Sequence, residues 1–329
     1  MEGGTPTMRV LVVGAGLMGG LHAKAVKHSD TATLCGVVDL DIARVGVVAA
    51  DLGAPGFTDL SRALAELKPD VAIIATPDSA HRVPASMAIE AGISVLVEKP
   101  LATTVDDAMS MVELAERRRV GLMTAHLTRF YPRYLAVADA VESGDLGAPV
   151  MLTTSTWGPR GLGERVSATT NPLWHLAIHD IDTIQWLTGG VIAEVDGAQL
   201  IESASGAAAF AATGVLSTGA GFHLAAGWTL PEGAAPRWDL KVHGESGVAQ
   251  AAWSSDGVAV YTPGRVDNPD CLAWPEARGS IQGALRAELD HFINSTVNDR
   301  PYAITTDEAV DAVRSAALLE KCSSIRRVS

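Results

Sequence analysis

Lys99 closes a short apolar run, SVLVEK, and Pro100 follows it at once. Far along the chain, His175 and His179 stand four apart in NPLWHLAIHDID, with acids at Asp180 and Asp182. An ammonium beside a reacting oxygen stabilises developing negative charge. An imidazole, ordinarily titrating near pH ~6.5, can take or give a proton close to neutrality. The histidines have other readings. His175, His179 and Asp182 on one helix could ligate zinc, although neither a cysteine cluster nor the glutamate of an HExxH motif accompanies them. Both imidazoles could equally be core side chains.

A second constellation lies at the other end. VVGAGLMGG sets Gly14, Gly16 and Gly19 as GxGxxG, with Leu17 and Met18 inside it, directly after the apolar run MRVLVV and at the head of a helical stretch. Gly14 permits a tight turn, Gly16 lets backbone approach a pyrophosphate, and Gly19 lets helix and strand pack closely. The helix start then offers N–H groups and partial positive charge to phosphates. Asp39 ends a second apolar run about twenty residues beyond the motif, where an acid accepts from ribose hydroxyls and repels a 2′-phosphate. NAD is therefore favoured over NADP, although Arg44 nearby could accommodate that phosphate.

Two later run-ends point to the same edge, because open parallel sheets bind ligands beyond the carboxyl ends of their strands. IIATPDSAH contributes Ala75, Thr76 and Pro77, with His81 in the next helix's first turn. VLVEKP contributes Glu98 and Lys99. A lone His81 fits a structural role as well as a cofactor contact.

The elements that must position these groups alternate over the first ~125 residues: apolar runs at MRVLVV, TLCGVVD, DVAIIAT, SVLVEK and VGLMTAHL, with amphipathic stretches between most of them. This is the pattern of an α/β Rossmann domain, a doubly wound parallel sheet, over residues 8–127. Residues 128–329 read as an α+β domain: the strand VMLTTSTW, a loop rich in Gly, Arg and Thr, the helix LWHLAIHDIDTIQWLTGG, and a mostly antiparallel sheet with turns at STG, GESG and SSDG. Two helices close the chain, the last at about 305–322 and able to fold back on the first domain. Trp157, Arg160 and Asn171 lie in or beside the loop before the histidine helix and could line a substrate pocket, with a solvated role equally open to Arg160. Trp174 and Trp186 read as core. With 47% hydrophobic and 19% charged residues the chain can bury a sizeable core, and its net charge of −13 argues against nucleic acid or an anionic membrane as the main partner. Cys35, Cys271 and Cys322 match no metal spacing and read as reduced thiols of a cytoplasmic protein. No run has the length of a membrane span. The leader MEGGTPT is too short and polar for a signal peptide.

Taken together, GAGLMG, Asp39, ATP at Ala75–Pro77, EKP at Glu98–Pro100 and LWHLAIHDIDTIQWLTGG resemble the glucose–fructose oxidoreductase / inositol dehydrogenase (Gfo/Idh/MocA) family, whose signature reads DLGIHDIDLLRWLTG. The resemblance implies a large open sheet in the C-terminal domain with helices on one face, and a tightly held NAD. It implies homodimers or homotetramers formed through that sheet. Hydride transfer at a hydroxyl-bearing carbon of a sugar, sugar nucleotide or cyclitol also follows from it, so a small polyol is the expected partner and no metal is expected. Carried over, Lys99 contacts the reacting hydroxyl and His179 exchanges its proton, and the bond before Pro100 is often cis in relatives. One departure concerns His175, where many sugar-oxidising members have aspartate. AHLTRFYP is similar to GHVERFNP of sugar-nucleotide members and makes His126 a candidate near the nicotinamide. Two other outcomes remain open to such a chain: an NAD-dependent glycosidase of the same family, or a non-catalytic NAD-binding regulator.

Overall fold

A computed structural model describes residues 7–204, 206–232, 234, 236–252, 260–262, 265–267 and 273–328. The opening apolar run forms β1 (Met8–Val13), and α1 (Leu17–Lys27), β2 (Ala32–Val38) and α2 (Ile42–Leu52) follow. Asp41 caps α2 by accepting from the amides of Ala43 and Arg44, and Gly53 ends it at φ 63°. A two-residue strand, β3 (Gly56–Phe57), precedes α3 (Leu60–Leu67). Neither was expected, yet α3 has the ordinary signals of a short helix: Asp59 caps the amides of Ser61 and Arg62, and Ala63 supplies its buried face. Next come β4 (Val71–Ile74), α4 (Arg82–Glu90), β5 (Ser94–Glu98), α5 (Val105–Arg118) and β6 (Leu122–Ala125). In α5, Asp106 and Asp107 occupy the first turn and Arg117 and Arg118 the last, both favourable to the helix dipole. All six strands run parallel in the order β3-β2-β1-β4-β5-β6. Order reverses between β1 and β4, the switch point where this fold opens a ligand crevice. Val10–Val12, Val71–Ile74 and Val95–Val97 are almost wholly buried, as strands covered on both faces must be.

The second half begins with α6 (Pro132–Glu142), β7 (Pro149–Pro159) and α7 (Arg160–Val166), then a π turn at Leu173–Ala177 running into α8 (Ile178–Thr188). The strands β8 (Ile192–Ser203), β9 (Ala208–Leu216), β10 (Gly221–Leu230), β11 (Arg237–Gly244) and β12 (Val248–Ala251) follow. Two small ladders, β13 (Val260–Thr262) with β14 (Arg265–Asp267) and β15 (Glu276–Ala277) with β16 (Ser280–Ile281), precede α9 (Gly283–Val297), α10 (Thr306–Cys322) and β17 (Ser323–Val328). The larger sheet has the order β12-β11-β7-β10-β9-β8-β17. STG and GESG are its β9–β10 and β11–β12 turns, whereas SSDG lies outside the described residues. Most neighbours are antiparallel, but β7 pairs parallel with β10, and β17 with β8. Alternation sets its faces: Leu152, Thr154, Thr156, Phe222, Leu224, Ala226, Phe210 and Ala212 point into the core beneath the helices.

Residues up to Leu127 combine with Ala273–Val310 in one compact unit; Thr128–Leu272 and Asp311–Ser329 form the other. The sequence boundary keeps 128–329 together, but the structure returns Ala273–Val310 to the first unit. The reason is the apolar face of α9, where Leu285, Leu289, Phe292 and Ile293 are buried and which packs against α1. Tyr302 stacks on Phe292 and fills the space beside Gly121. The closing helix α10 starts in the first unit and ends in the second. Cys35 is buried and Cys322 exposed, both free; burial pushes the Cys35 thiol up to about 11, which makes it a poor nucleophile. Cys271 lies outside the described residues. Among those described, no helix is long and apolar enough to cross a membrane.

Candidate active site

At the carboxyl edge of the parallel sheet, Gly14 adopts φ 101°, and a Cβ on it would sit 2.3 Å from the Ala75 carbonyl oxygen. A Cβ on Gly19 would meet the Gly14 carbonyl oxygen at 1.8 Å. Both positions therefore require glycine. Gly16 differs: a Cβ there meets nothing within 4 Å, so open space faces the loop. No side chain caps α1 and no acid occupies its first turn. Its first amides and the open Gly16 form the cradle that a pyrophosphate needs, and NAD fits it. Leu17 is exposed and Met18 half-buried at the same rim. Asp39 holds the loop in place: Oδ2 accepts from the Ala15 amide at 2.7 Å, and Oδ1 from the Asp41 amide at 2.9 Å. Arg44 lies 3.6 Å from Asp39 and 3.7 Å from Asp41, and Leu40 beside them is exposed. The NAD-binding residues on this edge would thus be the amides at Gly14–Gly19 for phosphate and Asp39 for ribose.

Ala75, Thr76 and Pro77 follow β4, with the Ala75 amide bonded to the Val13 carbonyl at 2.7 Å. Beside them, Lys99 is half-buried just past β5, and the Lys99–Pro100 peptide is cis. Glu98 turns inward instead: its Oε1 meets His22 Nε2 at 2.8 Å, and its Oε2 accepts from the Lys99 amide at 3.3 Å. Burial alone would push the Glu98 carboxyl up, but the His22 bond and the charges of His22, Lys99 and His81 outweigh it and hold the acid below its ordinary range. His81 is buried, with Nδ1 2.8 Å from the Pro100 carbonyl and Nε2 2.9 Å from that of Thr76. Its polar atoms therefore meet backbone. His126 is fully buried at the end of β6. Sequence reasoning missed His22, although a histidine on the buried side of the helix after the glycine loop was a readable signal.

In the second unit, Asn171, His175 and His179 are half-buried positions in a segment whose other residues from Pro172 to Asp180 are buried. The four-residue spacing aligns them on one face. A π turn rather than uninterrupted α-helix carries His175, a device frequent at functional sites. Asn171 Oδ1 accepts from the Leu173 and Trp174 amides at 3.0 and 3.3 Å and so starts the helix. The His175 ring lies 6.0 Å from the ring of buried Trp228. Asp182 does not join the histidines: Arg129 Nε and Nη2 donate to its two oxygens at 2.9 and 2.7 Å, deep in the unit. That engagement removes it from the zinc reading, and no cluster of metal-ligating side chains occurs among the described residues. Trp174 is core, its indole bonded to Glu320 at 2.9 Å, and Trp186 lies under Arg129.

Trp157 stands apart from this face. In β7 the residues facing α8 are Thr154, Thr156 and Gly158, so strand alternation sends Trp157 to the opposite side, over Gly227. Arg160, exposed at the start of α7, borders a cleft of about 610 Å³ with Glu164, Arg165, Thr229 and Glu232. Asp180 is buried against β7. Burial pushes its carboxyl up to about 8 and nearby Asp239 adds to the shift, against the opposing influence of the Thr156 and Thr154 hydroxyls.

Comparison with known proteins agrees with this geometry. Residues 8–126 match the oxidoreductase family GFO_IDH_MocA, NAD-binding Rossmann fold, and residues 134–250 match the GFO/IDH/MocA C-terminal domain. UDP-N-acetylglucosamine 3-dehydrogenase of Acidithiobacillus ferrooxidans is 27% identical over 89% of this chain and 90% of its own. Inositol 2-dehydrogenase 1 of Saccharopolyspora erythraea is 32% identical over 57% of each. The crystal structure of GenD2 from gentamicin A biosynthesis, in complex with NAD, superposes with a TM-score of 0.85 at 26% identity, covering 98% of this chain and 95% of that one. The chain belongs to the GFO/IDH/MocA family of NAD-binding oxidoreductases, and it is a dehydrogenase acting on CH–OH groups.

Proposed function

We propose that the protein is an NAD-dependent dehydrogenase that moves hydride between nicotinamide and a secondary-alcohol carbon of a sugar, a cyclitol or a sugar nucleotide. The observation that carries this reading is the edge of the parallel sheet, where an uncapped helix start, the open Gly16 and Asp39 share the strand ends with Lys99. The names of the relatives, one a UDP-N-acetylglucosamine 3-dehydrogenase and one an inositol 2-dehydrogenase, support the substrate class.

NAD+, when bound, accepts the hydride that leaves the carbinol carbon. The chain manages the proton and the charge. As the C–H bond breaks, the hydroxyl proton passes to the His179 imidazole, leaving a ketone. The Lys99 ammonium donates a hydrogen bond to the oxygen and stabilises its alkoxide character. His175 bonds neighbouring hydroxyls of the substrate in place of the aspartate of many relatives. Asp39, with Arg44 drawn onto it and onto Asp41, disfavours a 2′-phosphate. NAD is thus preferred to NADP, and Asp39→Ser lowers the NAD/NADP ratio of kcat/KM at least about tenfold, equivalent to ~1.4 kcal/mol of lost discrimination. Copies of the chain pair through the outer face of the larger sheet, where Met151, Thr153, Ser155 and Trp157 are only half-buried; light scattering that gives a monomer refutes this pairing.

The deciding experiment screens sugars, cyclitols and sugar nucleotides by NADH absorbance, with wild type and Lys99→Ala in parallel. The expected result is oxidation of at least one polyol and a loss of about a hundredfold or more in kcat/KM in the variant. Oxidation of none, or full activity in Lys99→Ala, rejects the reading. Release of an aglycone without net NADH indicates a glycosidase, and NAD binding without any turnover a regulator.

A further inference from the structure

His81 is 1% exposed and lies between two carbonyl groups, with Nδ1 2.8 Å from Pro100 O and Nε2 2.9 Å from Thr76 O. A carbonyl oxygen only accepts hydrogen bonds. A neutral imidazole has one N–H, so one of its nitrogens would press a lone pair against a carbonyl lone pair in the interior. An imidazolium has two N–H groups and satisfies both contacts. The geometry points to a doubly protonated His81 that staples the end of β4 to the turn carrying Lys99 and thereby positions that lysine; the second half of this statement rests on the function proposed above.

The placement explains why a staple is useful. The β4–β5 ladder has its last pair at Ile74 and Val97. Thr76 and Pro100 lie beyond it, on the two loops that reach the cofactor edge. His81 arrives between them because the turn at Asp78–Ala80 folds back, with the Ala80 amide on the Pro77 carbonyl at 2.7 Å and the Thr76 hydroxyl on the Ala80 carbonyl at 3.2 Å. A buried cation needs an anion near it. Glu98 is that anion: its carboxylate feels the charges of His81, Lys99 and His22 and is bonded to His22. In the chain Asp78 and Arg82 flank His81, and Arg82 is paired with Asp107 of α5 at 2.9 Å. His81 is thus a positioning residue, since its ring contacts carbonyls and acts on the reaction through Lys99.

The test uses the full chain labelled with ¹⁵N-histidine. Long-range proton–nitrogen spectra near neutral pH are compared with those of His81→Gln to identify the ring. Both of its nitrogens should show N–H shifts; one bare nitrogen, or shifts averaged between the two forms, overturns the imidazolium. Positioning is read by backbone hydrogen exchange. In His81→Gln, whose single amide nitrogen serves one carbonyl well, segment 98–102 should exchange about tenfold faster while residues 10–13 are unchanged; equal exchange in segment 98–102 overturns the staple. Where a polyol substrate is found, His81→Gln should lower kcat about tenfold and His81→Ala about a hundredfold, the range expected for a misplaced catalytic group, with the Kd for NAD+ within about twofold. Unchanged kcat overturns the positioning role. If wild type oxidises no polyol, the proposed function fails, but the spectra and the exchange still decide the staple.

Discussion

Asp180 lies beside His179, yet its carboxyl is turned into the second unit, 3% exposed, above Thr154 and Thr156. Burial pushes it up to about 8 from the 3.8 of a free aspartate, so the folded protein keeps it neutral through most of the physiological range. The unfolded chain ionises it near pH ~4. Between these limits unfolding releases one proton, and the stability this group contributes is complete below about pH 4 and is lost as pH rises towards 8. The slope is ~1.4 kcal/mol per pH unit, so from about pH 5 to pH 7 the wild type should lose roughly 3 kcal/mol through this side chain alone. Asp180→Asn keeps the shape and the polar contacts to the threonines but cannot ionise. Its stability should therefore fall by ~1.4 kcal/mol less for each pH unit than that of the wild type, and the two proteins should diverge steadily above about pH 5. Urea unfolding of the full chain at about pH 5, 6, 7 and 8 measures this, followed by fluorescence, to which Trp174, Trp186, Trp228 and Trp238 of the second unit contribute. Curves that run parallel with pH would mean that Asp180 is ionised in the fold and that the threonine hydroxyls outweigh burial.

Other substitutions address separate parts of the argument. Gly19→Ala forces a Cβ into the Gly14 carbonyl and should abolish NAD binding in calorimetry while lowering the Tm. Arg129→Met leaves Asp182 buried without its guanidinium and should cost about 3–5 kcal/mol in urea unfolding, part of which returns in the Arg129→Met/Asp182→Leu double variant. Glu288 is buried beside Glu98, and burial first, then the Glu98 charge, raise its carboxyl well above the usual range. Like Asp180 it stabilises the fold less as pH rises, so Glu288→Gln should increase the Tm more at about pH 8 than at about pH 5; an equal shift at both would show that Glu288 is ionised in the native state.

Much of the first unit could be read from the chain because buried parallel strands leave continuous apolar runs, and MRVLVV and DVAIIAT are such runs. The glycine loop and Lys99 were legible for a related reason: close backbone approach and the end of a buried strand restrict residue type strongly. The helix α3 escaped because eight residues give too little periodicity to outweigh the reading of a connection. The parallel pairing of β7 with β10 escaped because alternation tells which face is buried and not which way a neighbour runs. Trp157 was misplaced because the last residue of the run VMLTTSTW was assigned to the loop that follows; parity with Thr154 and Thr156 puts the indole on the side away from α8. Buried long-range polar pairs were the least legible parts. His22 is 76 residues from Glu98, and Arg129 is 53 from Asp182. No local pattern marks either partner.

The return of α9 to the first unit brings in a group that the nucleotide edge did not announce. Glu288 is fully buried, and neither of its oxygens has a hydrogen-bond partner among the described residues. A second ionised carboxylate next to Glu98 would be repelled by it and poorly solvated, so Glu288 is a neutral acid. Its neutrality leaves the Glu98 carboxylate to the groups that act on it, the bonded His22 of α1, Lys99 at the strand end and His81 between the loops. If Glu288 were also ionised, its charge would repel that of Glu98, and Glu98 would give up its charge more readily. The division of protons between two glutamates 190 positions apart in sequence thus links the strand end that carries Lys99 to a helix that sequence alone assigned to the other domain.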